Sequence, residues 1–108
     1  MLHKDIRELY RRGMAECARV ARRQVWVKCK DQVQSGMQRW AHVEMLKDAY
    51  DLGLFGRDLF ILLPTSRTSA ARWAVQHHAR KPHSYLWVLE HPSASTRAQI
   101  KREGLMRL

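Results

Sequence analysis

Leu59-Phe60-Ile61-Leu62-Leu63 and Tyr85-Leu86-Trp87-Val88-Leu89 are the most apolar stretches of the second half of the chain. Both are short apolar runs without alternation, closed by Pro64-Thr65-Ser66 in one case and His91-Pro92-Ser93 in the other. A strand with one wet face alternates; a run apolar at every position reads as buried on both faces, the habit of parallel sheets. Between the runs, Ser66 to Ala79 keeps a helical period. Ala70, Ala71, Ala74, Val75 and His78 fall on one side, and Ser69, Arg72, Trp73, Gln76 and Arg80 on the other. A helix of that length suits the crossover of a βαβ unit.

Working outward, residues 5–23 read as a helix. Ile6, Leu9, Tyr10, Gly13, Met14, Cys17, Val20 and Ala21 form its apolar face, and Arg11, Arg12, Arg19, Arg22 and Arg23 the opposite one, with Arg7 at the edge. The helical pattern fails at Gln24, and the β-branched Val25–Lys30 stretch reads as a strand. Residues 36–51 return to a helical period through Trp40, Val43, Leu46 and Tyr50. Gly53-Leu54 then fits a left-handed glycine stop with its apolar follower. A last helix is expected over Ser95–Met106. The order is α-β-α-β-α-β-α: a single α/β domain over residues 1–108, with a short, mostly parallel sheet of two or three strands flanked by helices. Without the 25–30 strand, a two-stranded core would need a homodimer partner to complete its sheet.

The composition narrows the partner class. The chain has 108 residues, 20 Lys+Arg against 10 Asp+Glu, a net charge of +10, and 45% hydrophobic residues. That apolar content excludes a disordered basic tail. No run is long enough to span a membrane, and Met1–Asp5 holds no apolar signal segment. Two cysteines cannot build a disulfide scaffold, so a reduced, cytoplasmic protein is expected. Residues 1–30 carry net +6, residues 31–58 net −2 and residues 59–108 net +6. Arginine outnumbers lysine 14 to 6. Segregated charge in the form of planar, bidentate guanidinium groups is the footprint of a nucleic-acid binder, for DNA or RNA alike.

The sequence after the first apolar run, Pro64-Thr65-Ser66-Arg67-Thr68, is echoed after the second by Pro92-Ser93-Ala94-Ser95-Thr96-Arg97. If the strands are parallel neighbours, both helix N-termini open at one sheet edge. Ser66, Arg67, Thr68, Ser95 and Arg97 would then receive phosphate on unpaired backbone N–H groups. Arg72, Trp73 and Arg80 would extend the surface, Trp73 as a stacking ring, together with the arginine face of the first helix.

Enzymatic alternatives are thinner. The six histidines show no zinc spacing, Cys17 and Cys29 form no CxxC pair, and no Walker, GxGxxG, GxSxG or HExxH pattern implies a cofactor. Asp58 and Glu90 would stand at opposite ends of parallel strands, about 20 Å apart, too far to share a metal ion. A metal-independent ribonuclease or toxin would use His91 with Arg67 and Arg97. A protein-interaction inhibitor would turn the basic face to an acidic protein surface. The leading expectation is a non-catalytic nucleic-acid-binding protein.

Overall fold

The computed structural model describes residues 2–64 and 82–107. Its elements run α1 (His3–Val20), β1 (Gln24–Cys29), β2 (Gln32–Gln34), β3 (Met37–Arg39), α2 (Ala41–Asp51), β4 (Phe55–Leu62), β5 (Ser84–Glu90) and α3 (Ala94–Glu103). The main sheet has the order β1-β5-β4, and both pairings are antiparallel. The fold is α+β, which corrects the expected α/β domain with a parallel sheet. The helix expected over 66–79 lies outside the described residues, and with it Ser66, Arg67, Thr68, Arg72, Trp73 and Arg80.

The reason for the correction lies in what an unalternating apolar run means. For β5 the two-face reading holds, since Trp87, Val88 and Leu89 are all buried in the middle strand. It fails for β4, where Leu59 through Leu63 are all exposed at a sheet edge. Central position, not parallel pairing, accounts for the burial of β5. A second correction concerns residues 32–39, where Ser35-Gly36 closes a hairpin between β2 and β3. Both residues have positive φ (54° and 73°), as a two-residue type I′ turn demands. The helix expected from residue 36 therefore starts only at Ala41.

α1 ends at Val20, so Arg22 and Arg23 lie in the turn to β1 rather than on a helical face. Asp5 in its first turn and Arg19 in its last complement the helix dipole. Only part of the expected apolar face is used: Met14 is buried and Tyr10 and Ala21 pack on the core with it, while Leu9, Cys17 and Val20 stay exposed. Polar residues complete the contact with α2. His3 Nε2 meets the Glu44 carboxylate at 2.9 Å, and Arg7 grips Asp48 through two hydrogen bonds of 2.9 and 2.8 Å. α2 closes as the glycine signal predicts. Gly53 takes φ 79°, its N–H bonds the Tyr50 carbonyl, the Leu54 N–H bonds the Ala49 carbonyl, and Leu54 is fully buried.

The core joins Met14 of α1, Met45 and Ala49 of α2, Leu54, and Val25, Cys29, Trp87 and Leu89 from one face of the sheet. Both helices thus cover the same face, and Trp87 locks α2 down by donating its indole N–H to the His42 carbonyl at 2.8 Å. Among the described residues, no helix is long and apolar enough to cross a membrane.

Candidate nucleic-acid interface

Strand register assigns the sheet's second face. Val25, Val27 and Cys29 of β1 stand opposite Leu89, Trp87 and Tyr85 toward the helices, so Gln24, Trp26 and Lys28 point the other way. On β4, Phe60 shares that other face, because it and Lys28 both pair with Leu86 of the middle strand. Trp26 is 65% exposed and Phe60 52%. By strand spacing and rise, the backbone positions of these two residues are about 12 Å apart, room for separate bases. Trp26 is also tethered: its indole N–H donates to Gln24 Oε1 at 3.1 Å, within the same strand face.

The charge on this face is graded. Lys28 is exposed on it, and exposed Lys30 follows where β1 ends. At the opposite end Arg57 lies 3.7 Å from Asp58 and 3.9 Å from Glu90. The antiparallel pairing therefore brings Asp58 and Glu90 to one end of the sheet, correcting their expected separation. No group of three His, Cys, Asp or Glu that could hold a metal ion occurs among the described residues.

No known protein family, curated protein or solved structure matches the chain. The residues alone carry the reading.

The arginine face of α1 is exposed as expected but partly neutralised. Arg11 and Arg12 lie 3.7 and 3.5 Å from Glu8, and Arg19 meets Glu16 at 2.8 Å. Such exposed pairs are weak and can yield to phosphate. α1 lies on the helix side of the sheet, so its outer face and the aromatic face are two separate surfaces.

The proposed phosphate edge is divided by topology. Antiparallel pairing aligns Leu62 with Ser84 and Phe55 with Glu90, so Pro64 and His91 leave the sheet at opposite ends. Of the residues assigned to that edge, Ser95 and Arg97 are described, both exposed at the start of α3. Ser93 caps this helix, its Oγ accepting the Thr96 N–H at 3.3 Å and lying 3.1 Å from Ser95 Oγ. His91 ties the exit of β5 to α1. Its Nε2–H donates to the Ala18 carbonyl and its backbone N–H to the Arg23 carbonyl, both at 2.8 Å.

A second constellation, absent from the sequence reading, gathers where β1 ends and β5 begins. Asp31, buried just after β1, accepts both the His42 backbone N–H at 3.1 Å and its Nδ1–H at 2.8 Å. It thereby caps α2, whose N-cap position, Trp40, makes no side-chain cap. The His42 ring stacks on Tyr85 at 4.1 Å, and His83 approaches the same tyrosine edge-on at 5.1 Å, with Nε2 3.0 Å from its hydroxyl. Burial pushes the Cys29 thiol up to about 11, with Asp31 adding to the effect. The Tyr85 phenol is raised by burial first, then by Asp31 and Cys29. Spacings of eleven and forty-one residues from His42 to Asp31 and His83 leave no local pattern that could reveal this cluster.

Proposed function

We infer that the chain binds single-stranded nucleic acid on the sheet face that carries Trp26 and Phe60. Bases stack on Trp26 and Phe60, and Lys28 and Lys30 meet the phosphates. The observation that supports this reading is Trp26, an indole left 65% exposed yet held in place by Gln24, on one face with a half-exposed phenylalanine. Two exposed rings on one sheet face offer bases stacking surfaces without regard to sequence. The net charge of +10 supplies the long-range attraction. The α1 arginines form an auxiliary surface, where a longer strand or a duplex would make phosphate contacts alone.

Fluorescence anisotropy with labelled single-stranded RNA, single-stranded DNA and the matching duplex tests it at about 50 and 200 mM salt. Both single strands are expected to outbind the duplex. Trp26→Ala should weaken them roughly tenfold, since base–aromatic stacking is worth about 1–3 kcal/mol. Equal single-strand affinity in Trp26→Ala, or no binding at low salt, overturns the reading. Binding of polyglutamate in place of nucleic acid would assign the basic surface to an acidic protein partner.

A further inference from the structure

We propose that His42 and His83, with Asp31 as the positioning residue, form an acid–base site that cleaves RNA without a metal ion. The proposal rests on the reading that the chain binds single strands and goes beyond it by assigning a reaction. Tyr85 faces the helices, so a strand held on the Trp26 face would reach the site by passing round the sheet end where Lys28 and Lys30 stand. It also moves the chemistry away from His91, whose Nε2–H is committed to a backbone carbonyl.

Capping α2 requires a single oxygen of Asp31. The same oxygen also takes the His42 Nδ1–H at 2.8 Å, which does nothing further for the helix terminus. With that proton committed, neutral His42 carries its lone pair on Nε2, which has no partner among the described residues. Asp31 is almost wholly buried (side chain 1% exposed), while the imidazole reaches the surface at 18%. A buried carboxylate holding an accessible imidazole in one tautomer is the arrangement of an oriented general base. Stacking on Tyr85, with the ring planes 17° apart, fixes the imidazole further.

His83 supplies the complementary acid. Once protonated, it donates Nε2–H to the Tyr85 hydroxyl 3.0 Å away and keeps Nδ1–H to give up. Both imidazoles therefore lean on one phenol ring. Arg39, three residues before His42, pairs across the hairpin with Gln32, the neighbour of Asp31; its buried Nε and Asp31 Oδ2 both have no hydrogen-bond partner among the described residues. Trp40, 48% exposed, stands edge-on to His42 at 6.4 Å.

The step balances with RNA alone. The 2′-hydroxyl gives its proton to His42 Nε2, and the 2′ oxygen forms a bond to the adjacent phosphorus. The bond from phosphorus to the 5′ oxygen breaks, and that oxygen takes the His83 proton. The products are a 2′,3′-cyclic phosphate and a 5′-hydroxyl. DNA lacks the nucleophile and stays intact.

An end-labelled RNA oligonucleotide incubated with the full chain in EDTA provides the test, with binding measured on the same samples. Cleavage to a cyclic phosphate is expected, blocked at any position carrying a single 2′-deoxy sugar. His42→Ala and His83→Ala should each slow it about a hundredfold or more. Binding should stay within about twofold, and free imidazole should restore part of the His42→Ala rate. Asp31→Asn should slow cleavage without loss of binding. If His42→Ala fails to fold, His83→Ala carries the test, since among the described residues the His83 side chain hydrogen-bonds only Tyr85. RNA bound but left intact overturns the cleavage proposal and spares the binding reading. RNA neither bound nor cut overturns both. Cleavage that survives His83→Ala or ignores the 2′-deoxy sugar overturns this site.

Discussion

Gln24 Oε1 accepts the indole N–H of Trp26 at 3.1 Å, two residues along one strand and on one face of the sheet. The bond restrains a ring that packing does not hold, so stacking a base on it costs less side-chain entropy. Gln24→Ala is expected to weaken single-strand binding roughly two- to tenfold, the range of one hydrogen bond worth about 0.5–1.5 kcal/mol. The thermal midpoint should hardly move, because the indole contributes little to the core. Anisotropy titrations beside thermal melts of the same variant check both halves.

Arg7 and Asp48 fasten the two helices unequally. The Asp48 side chain is 3% exposed and the Arg7 side chain 33%. Loss of the arginine strands a buried carboxylate, whereas loss of the aspartate leaves a guanidinium that still has water and Glu44, 3.5 Å away. Arg7→Ala should therefore destabilise the fold by about 3 kcal/mol, and Asp48→Ala by roughly half as much. Urea denaturation of both variants measures the order, and a reversed order would contradict the asymmetry.

The two thiols should separate cleanly. Cys17 is exposed and Cys29 buried, so an aromatic disulfide reagent should titrate one thiol at neutral pH and the second only after unfolding.

Alkaline stability follows from the same burial. The folded state holds the Cys29 proton more tightly than the unfolded chain, whose thiol ionises near 9.0. That contribution is complete below this pH and is lost as pH rises towards about 11. The raised Tyr85 phenol acts in the same direction. Urea midpoints should fall across this window, and Cys29→Ala should flatten the decline.

Local signals were legible where a single residue type decides the backbone. Gly53-Leu54 announces its left-handed helix stop, and Val25-Trp26-Val27 its strand. Pairing direction was not legible, because β5 is buried on both faces by virtue of its central place, which Leu86-Trp87-Val88 would show in either direction. Ser35-Gly36 carried a turn signal that the helical period of Trp40, Val43 and Leu46 overrode. The arginine content drew attention to α1, yet three of its arginines share two glutamates three or four residues away. Trp26 was visible only as a strand residue. Its exposure depends on which face the helices cover, a tertiary fact. The Asp31–His42–Tyr85–His83 cluster arises from three separate segments, so nothing in their spacing foretold it.

The indole N–H signals of Trp26 and Trp87 in a two-dimensional proton–nitrogen NMR spectrum report which surface meets the nucleic acid. Trp87 donates to the His42 carbonyl inside the core, and Trp26 is 65% exposed on the other face of the sheet. Adding a single-stranded oligonucleotide at low salt should move the Trp26 indole signal together with the Lys28 and Leu86 amides, while Trp87 shifts little. A Trp26 signal that stays in place while the amides of Arg11, Arg12 and Arg19 move would contradict the account and place binding on α1 instead.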